Sequence, residues 1–511
     1  MSTISSNNKR IAQNTLLLYF RMLLIMAVSL YTSRVILSAL GIEDFGIYNV
    51  VGGVVALFSF LNSSMSTSTQ RFLTFELGQG NLKQLKKVFA ASLNIHLGIC
   101  LFLVVLSETI GLWFLNTQMN IPEGRMLAAN WVFQMSILSF CLSIVQTPFT
   151  ASIIAHEKMS VFAYISVMEV FFKLAIAYLV TSVTFDRLIF YAILVFVVHL
   201  LINLSYQCYC FRNYVECRYR FEWNKSLYKQ LTSFAGWNLF GSIAWLLKKQ
   251  GINILLNIFF GPIVNASCGI AMQVSHAVTG FVSNFQTALN PQITKNYAQN
   301  NISYMEGLAY KGSKYSFFLL FFISFPLLLN LEYVLHLWLE DVPTYTSLFV
   351  ILIIIESLGN VLWGNTMIVS MMATGRIRNY QIIVSSVLLM IVPISYLALK
   401  WGCDVSFVFY ISIMMTLIAG LTRFSFCHKY IGYSYRRMFH EILRPVIGVL
   451  FLSVPLLLAV HKYYFDSQNF MHFSISVLVA IIVEFCAIWI VGLDKKEKNV
   501  VSQIIKNKIH K

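Results

Sequence analysis

Five basic side chains interrupt long apolar stretches of this 511-residue sequence. They are Arg21, Arg34, Lys173, Lys248 and Lys249. A charge at the centre of a bilayer costs about 2.5 to 3.5 kcal/mol on insertion scales, so such a residue usually faces protein or water and marks a functional site. Ammonium and guanidinium groups in that setting can bind an anion or form an ion pair with a carboxylate.

Arg21 and Arg34 lie toward opposite ends of the first apolar stretch. Thirteen residues separate them, which places them about 20 Å apart along a helix and about 140° apart around it. Arg34 can reach the outer interface, where Glu43 and Asp44 are near enough to pair with it, or it can line a cleft. Both interpretations stay open for Arg34, and Arg21 is expected to point inward near the opposite mouth.

The adjacent lysines Lys248 and Lys249 lie in the middle of another apolar stretch, where neither can easily reach an interface. Neighbouring positions on a helix differ by about 100°, so at least one of the two should face the interior. We expect them to line a cleft. The alternative is a break in the helix at Gly251.

Carboxylates also occur in the apolar stretches. Glu169 precedes Lys173 by four residues, a spacing that predicts a self-neutralising pair on one helix face. Glu356, in the middle of its stretch, could bind a proton or a cation. The other single carboxylates are Glu108, Glu332 and Glu484. The histidines there fit packed core positions better than proton relays: His96, His199 and His276.

The elements that position these residues are membrane helices. The chain is 58% hydrophobic and only 11% charged, against roughly a quarter charged in soluble domains. A bilayer core needs about 20 apolar residues per helix, and the sequence predicts an all-α membrane protein with about fourteen spans. They lie near residues 14–38, 45–68, 87–115, 126–154, 160–183, 187–210, 231–260, 264–289, 314–338, 345–372, 379–400, 405–428, 441–464 and 470–493.

The distribution of Lys and Arg over the predicted loops gives the orientation. The side that carries the N-terminus holds nearly all loop cations, and the opposite side holds only Arg125, Arg187, Lys400 and Lys462. Cytoplasmic loops carry this excess, so both termini are expected in the cytoplasm. The net charge of +16 then reflects attraction to anionic membrane lipids, with no nucleic acid required. Residues 494–511 are expected to form a basic amphipathic tail on the inner leaflet.

The chain is expected to divide into two six-helix bundles, residues 1–211 and 231–430. A cytoplasmic linker, 212–230, joins them, and two extra helices, 431–493, follow. The stretch STQRFLTFELGQGN after span two matches LNPQITKNYAQNN after span eight with a shift of 222 residues, which indicates a duplication. Six spans per copy gives both copies one orientation, in pseudo-two-fold relation around a central cleft. Spans one and seven would supply that cleft with four cations and no carboxylate, which suits an anion.

Several motifs resemble the polysaccharide transporter family, the O-antigen and capsule flippases of the superfamily that also contains multidrug and toxin extrusion exporters. They are LGIEDFGIYN after Arg34, TQRFLTFELGQGN, and FFGPIVNASCGIA followed by NPQITKNYA. The resemblance implies an alternating-access flippase for polyprenyl-pyrophosphate-linked oligosaccharide in the bacterial cytoplasmic membrane. It implies that Arg34 attracts the pyrophosphate, with Lys248 and Lys249 as further candidates, and that other polysaccharide-assembly membrane proteins are partners. Val35 stands where the lipid II flippase often has an acidic residue.

Two alternatives remain at the level of sequence. A cation-coupled exporter of the multidrug and toxin extrusion type would need carboxylates in the N-terminal bundle, and spans one and two offer none. A membrane polymerase or glycosyltransferase would need a sizeable domain with acid and base groups, and no loop exceeds about twenty residues. We therefore expect a transporter and no enzyme. The nine cysteines form no ligand cluster, so no metal or cofactor is expected.

Overall fold

The computed structural model describes residues 2–56, 58–119, 121–339, 341–464 and 469–499. Within these ranges the chain is almost entirely helical and contains no strand, so the predicted all-α membrane fold is confirmed. The predicted tail beyond Asn499 lies outside the described residues. The helices are α1 (Ser2–Ala56), α2 (Ser59–Gln79), α3 (Leu82–Leu106), α4 (Leu112–Thr117), α5 (Met126–Ala155), α6 (Met159–Thr181), α7 (Arg187–Asn213), α8 (Lys225–Phe260), α9 (Pro262–Ala298), α10 (Ile302–Leu329), α11 (Leu331–Trp338), α12 (Thr346–Trp363), α13 (Asn365–Thr374), α14 (Arg378–Leu389), α15 (Ile391–Lys400), α16 (Phe407–Ile431), α17 (Tyr435–Met438), α18 (Arg444–Tyr464) and α19 (Phe470–Ala487).

Eleven helical segments among the described residues are long and apolar enough to cross a membrane. Two further long helices, α8 and α9, lie where spans seven and eight were predicted, but their sequences are more polar. Predicted span two, residues 45–68, is divided between the end of α1 and the start of α2, so its bounds were wrong. The segments are Arg10–Gly41, Leu82–Thr117, Met126–Ala155, Met159–Thr181, Arg187–Asn213, Ile302–Leu329, Thr346–Thr374, Arg378–Lys400, Phe407–Ile431, Tyr435–Lys462 and Phe470–Gly492.

The boundary between the first two spans is a single residue. Gly41 breaks α1 with φ 80° and ψ 169°, a conformation that glycine adopts without the steric cost of a Cβ. Helix resumes directly after it. The gap predicted between spans one and two, residues 39–44, is therefore helical except at Gly41, because one glycine is enough to redirect the backbone.

The two motifs that indicated a duplication also lie in helices and not in loops. Residues 68–79 form the last turns of α2, and residues 289–298 form the last turns of α9. Phe75 and Tyr297, the positions matched by the shift of 222 residues, pack with ring centroids 6.4 Å apart. A Cβ on Gly78 would lie 2.9 Å from Ala298 Cβ, so the glycine permits this close approach.

The chain forms two compact units. The first contains Met1–Ser242 and Thr294–Asn300, and the second contains Ile243–Ile293 and Asn301–Lys511. In the first unit, α1 packs against α6, and α5 packs against α7 around Val132, Phe133 and Ala129. In the second, α12 packs against α16, while α10 contacts α18 and α19 around Phe317, Phe321 and Val449. The boundaries at 211 and 231 stay predictions.

Candidate functional site

The first unit contains an open cavity of about 540 Å³ that is lined by residues of α1, α5, α6 and α7. Its wall combines hydroxyl, amide and aromatic groups with one carboxylate and one imidazole. The lining residues are Tyr48, Asn49, Gly52, Gly53, Met135, Ser136, Ser139, Phe140, Ser143, Gln146, Glu169, Ala192, Val195, His199 and Ile202.

Glu169 is the carboxylate of this cavity. Lys173 Nζ, one turn further along α6, donates a hydrogen bond of 2.6 Å to Glu169 Oε1. His199 Nε2 of α7 lies 3.9 Å from the same oxygen. The four-residue pair anticipated from the sequence is therefore formed, and its carboxylate also faces a cavity, which the spacing alone did not indicate.

One face of α5 supplies most of the polar cavity wall. Ser136, Ser139 and Ser143 follow one another at spacings of three and four residues, which places them on one helix face. Ser143 accepts a hydrogen bond of 3.4 Å from Asn62 of α2. This serine face had no place in the sequence analysis, although its periodicity is visible in the sequence.

Arg21 lies beside the same cluster. Its guanidinium carbon is 4.4 Å from the centroid of the Phe162 ring, a cation–π contact. It also interacts electrostatically with Tyr206 and Glu169. Its Nε is buried and finds no hydrogen-bond partner within the described part of the chain. A role for Arg21 in substrate binding stays a prediction.

Arg34 is exposed and makes no hydrogen bond or ion pair with any described residue. The pairing with Glu43 or Asp44 considered from the sequence is wrong, because neither carboxylate contacts Arg34. Asp44 is bound instead by Arg125, whose Nε donates a hydrogen bond of 2.8 Å to Asp44 Oδ1. Gly41 lies between Arg34 and Asp44 in the chain and ends the first helical segment before Asp44.

Arg125, which directly precedes α5, holds together three segments at one end of the first unit: its own, the one after Gly41 and the one before α7. It binds Asp44, after the break at Gly41, and Asp186, which caps α7 by accepting hydrogen bonds from the N–H groups of Leu188 and Ile189. Burial lowers the pKa of Arg125, but its bonds to Asp44 and Asp186 outweigh this effect and leave the pKa above its ordinary value.

At the opposite end of α5, Glu157 holds two cations. Its side chain is 1% exposed and contacts Arg10 Nη2 at 2.8 Å and Lys295 Nζ at 2.5 Å. Asn14 donates a hydrogen bond of 3.2 Å to the Glu157 carbonyl. The backbone of Glu157 is left-handed, with φ 61°, a conformation that costs a residue with a Cβ roughly 1 to 2 kcal/mol.

In the second unit, Lys248 and Lys249 have different surroundings. Lys248 is 4% exposed, donates hydrogen bonds to Glu356 and to Thr416 Oγ1, and lies 5.0 Å from the Trp245 ring centroid. Lys249 Nζ lies 3.2 Å from His276 Nε2. The helix continues through Gly251, so a break there was not the reason for the double lysine. Glu356, proposed as a pairing or coupling residue, neutralises Lys248.

Arg423 is a buried cation that the sequence analysis counted among the cytoplasmic loop charges. It lies in α16, is 6% exposed, and donates a hydrogen bond of 3.3 Å to Asn360 Oδ1 of α12. Its Nε has no hydrogen-bond partner among the residues described. The signal was available, since Arg423 falls inside predicted span twelve.

Metal-binding groups are not assembled in the described ranges, where no cluster of three or more His, Cys, Asp or Glu residues could hold an ion. All nine cysteines are free thiols.

Comparison with known proteins identifies the fold. A mutant of a MATE transporter shares it, with a TM-score of 0.70 and 12% identity over 82% of this chain and 96% of that one. A Vibrio cholerae MATE transporter in a bent form has a TM-score of 0.66 and 16% identity over 86% of this chain and 100% of that one. The chain therefore has the fold of MATE transporters of the MOP superfamily.

A third similar structure is a MOP-superfamily transporter from Pyrococcus furiosus, described as having a binding pocket of reverse polarity that suggests a different function. It has a TM-score of 0.66 and 12% identity over 84% of this chain and 96% of that one. No protein-family model matches the sequence, and no curated protein matches it significantly. At these identities the structures establish the fold alone.

Proposed function

We propose that this protein is a membrane transporter that exports a solute and couples the export to a cation, as multidrug and toxin extrusion exporters do. The fold supports transport, because solved structures that share it include an outward-facing multidrug resistance transporter. The observation that carries the coupling is Glu169, a carboxylate in the cavity wall of the first unit.

Glu169 supplies the carboxylate that a cation-coupled exporter needs in the N-terminal bundle, which the sequence analysis did not find in spans one and two. The fold brings this carboxylate into the cavity from α6, and places the Lys173 ammonium and the His199 imidazole beside it.

The coupling step follows from competition for this carboxylate. A proton or a sodium ion that binds Glu169 takes the place of the Lys173 ammonium, which then stands unpaired beside the cavity. An unpaired charge inside the membrane is costly, so the wall gains stability by rearranging or by admitting water. Binding of the coupling ion would in this way favour one conformation of the unit over another.

The test uses purified protein in lipid vesicles with an imposed proton or sodium gradient and a fluorescent organic cation as the cargo. Glu169→Gln keeps the side-chain volume but cannot ionise, and we expect it to reduce gradient-driven transport at least tenfold. Glu43→Gln, which alters an exposed carboxylate of the same unit, is the matched control and should keep the wild-type rate. Gradient-driven transport by Glu169→Gln at the wild-type rate would overturn the coupling role.

A second candidate function, flipping of polyprenyl-pyrophosphate-linked oligosaccharide, is favoured by Arg34. This guanidinium is exposed, lacks a described partner, and belongs to the motif on which the resemblance to polysaccharide transporters rests. An inside-negative potential would assist outward movement of a pyrophosphate by about 2.3 kcal/mol per charge per 100 mV. Lys248 supports this candidate less, because Glu356 already neutralises it.

Deletion of the gene separates the two candidates. Sensitivity to cationic dyes that rises while surface glycan is unchanged supports the exporter. Lipid-linked oligosaccharide that accumulates on the cytoplasmic leaflet, with loss of surface glycan, supports the flippase, and Arg34→Gln should then fail to restore the glycan. Under either function we place the protein in the bacterial cytoplasmic membrane with both termini inside, and its basic loops against anionic lipids.

A further inference from the structure

Glu484 of α19 is a buried carboxylate that neither candidate function uses. Its exposed fraction is 0%. Neither Oε1 nor Oε2 has a hydrogen-bond partner among the residues that the structure describes. Buried polar groups in proteins almost always have such partners, so this side chain requires an explanation.

The neighbouring helices fix the depth of Glu484. A Cβ on Gly448 would touch Val491, and His461 Nδ1 lies 3.2 Å from Ser476 Oγ, so α18 and α19 run antiparallel with Glu484 near the level of Val454. Glu484 also lies eight residues from Gly492, about 12 Å along the helix. It therefore occupies the middle of its membrane span, beyond reach of either interface.

The helix α10 forms the other wall. Phe318 approaches Gly492, and Tyr333 of α11 stacks on Phe473 at 4.9 Å, which places Glu484 near the level of Ser324. Ser324 is fully buried and donates a hydrogen bond of 3.5 Å to the Phe321 carbonyl, so its hydroxyl does not bind Glu484. The side chains of the adjoining cluster are Phe317, Phe318, Phe321, Val446, Val449 and Ala487.

Charged and titratable groups on these helices lie away from Glu484. Lys314 of α10 pairs with Glu497, thirteen residues beyond Glu484, and His461 of α18 contacts Ser476, eight residues before it. No described group therefore compensates a negative charge at Glu484. The remaining titratable residues on α10, α11, α18 and α19 whose side chains the structure describes are Tyr304, Glu306, Tyr310, Lys311, Tyr315, Glu332, Tyr333, His336, Arg444, Lys462, His472 and Cys486.

We propose that Glu484 is a proton-binding site of the last two membrane helices and carries its proton in this conformation. A proton is the ligand that fits, because a metal cation would need several oxygen ligands around it. An ionised carboxylate in this apolar setting would carry a large desolvation cost. Occupancy by the proton therefore favours the packing of α19 against α10 and α18. The site goes beyond the proposed function and does not depend on Glu169.

The pH dependence of folding stability tests whether Glu484 carries a proton. A carboxyl that keeps its proton in the folded protein but releases it on unfolding makes stability fall as pH rises above the carboxyl's ordinary titration range. Thermal unfolding of the full chain in detergent is measured at several values between about pH 6 and 9. The wild type should lose stability over this range relative to Glu484→Gln, whose amide stays neutral. Parallel curves for the two proteins would overturn the proposal.

A second variant covers the case in which Glu484→Gln does not fold, and chemical labelling shows which carboxyl carries the proton. Glu484→Leu replaces the acid with an apolar side chain and should reproduce the flattened pH dependence if Glu484→Gln fails to fold. A hydrophobic carbodiimide reacts with protonated carboxyls in apolar surroundings, and the modified peptide is identified by mass spectrometry. Modification at Glu484 at about pH 6 supports the protonated site, while modification of other carboxyls with Glu484 left unmodified contradicts it.

Discussion

Lys248 of α8 and Glu356 of α12 form an ion pair in the interior of the second unit, joined by Thr416 of α16, whose hydroxyl donates a hydrogen bond of 2.9 Å to the same carboxylate oxygen. The two charged residues lie 108 positions apart in the sequence. The pair removes Lys248 from the set of uncompensated cations and gives Glu356 a defined partner. It thereby links three helices of one unit through a single carboxylate.

Removal of one member of this pair should be strongly destabilising. Lys248→Met leaves the Glu356 carboxylate buried without its cation, and such a change typically costs about 3 to 5 kcal/mol. We expect the unfolding temperature in detergent to fall clearly for Lys248→Met. The double variant Lys248→Met with Glu356→Leu should recover most of that loss, because a buried pair can often be replaced by apolar side chains at little cost.

Lys249→Met serves as the control for that pair. Its ammonium contacts His276 and no described carboxylate, so the variant should unfold close to the wild-type temperature. A double variant no more stable than Lys248→Met alone would show that the two residues are not energetically coupled.

Glu157 is predicted to hold together one end of the first unit. Glu157→Gln keeps the shape of the side chain but removes the charge that binds Arg10 and Lys295. Because both cations are partly exposed to solvent, we expect a loss of about 1 to 3 kcal/mol. Glu157→Gly also relieves the left-handed backbone, so it should be less destabilising than Glu157→Ala. Chemical unfolding in detergent measures both differences. Equal stability of the glycine and alanine variants would contradict the role of the backbone conformation.

Asp186 gives a pH dependence with a definite sign. Burial raises its pKa, but the Ile189 N–H and the Arg125 guanidinium outweigh this and leave the pKa below its ordinary value. Its contribution to stability is therefore present above the ordinary aspartate pKa and is lost as pH falls through the lowered one. We expect the wild type to lose more stability than Asp186→Asn between about pH 5 and 3, as measured by thermal unfolding.

Two variants of Asp186 distinguish its contribution as the cap of α7 from its contribution as the ion-pair partner of Arg125. Asp186→Asn retains an acceptor for the N–H groups of Leu188 and Ile189, whereas Asp186→Ala loses both the cap and the bond to Arg125. A lost N-cap costs about 1 kcal/mol, so the alanine variant should be the less stable of the two at pH 7. Equal stability of the two variants at pH 7 would show that Asp186 stabilises the protein through its ion pair with Arg125 and not through the cap.

Gly312 of α10 is predicted to be intolerant of any side chain. A Cβ at this position would lie 2.4 Å from Leu289 Cδ2 and 2.9 Å from Thr366 Cγ2, so Gly312→Ala overpacks the contact with α9 and α13 and should cost about 1 to 3 kcal/mol. Gly98→Ala is the matched control. It lies in α3 with no atom within 4 Å of the added Cβ, and the alanine should be neutral or stabilise the helix. Thermal unfolding of the two variants compares them directly.

The positions of the membrane helices follow from the sequence. Apolar stretches of about 20 residues must form helices in lipid, because every backbone polar group there has to be satisfied within the segment. The beginning of α5 at Met126 and that of α7 at Arg187 agree with the predicted bounds. Hydropathy does not predict helix in polar segments such as residues 68–79, where Phe72 and Leu73 are buried against neighbouring residues.

The sequence by itself determined that this is a many-spanning helical membrane protein with charges buried inside its helices. It also determined the Glu169–Lys173 pair, because four residues in one helix fix their separation. Only the tertiary structure decided the partners that come from other helices: Arg125 for Asp44, Glu356 for Lys248, and a cavity for Glu169. The physical reason is that periodicity gives the face on which a charge lies, whereas the group opposite it depends on which helix packs there and at what depth.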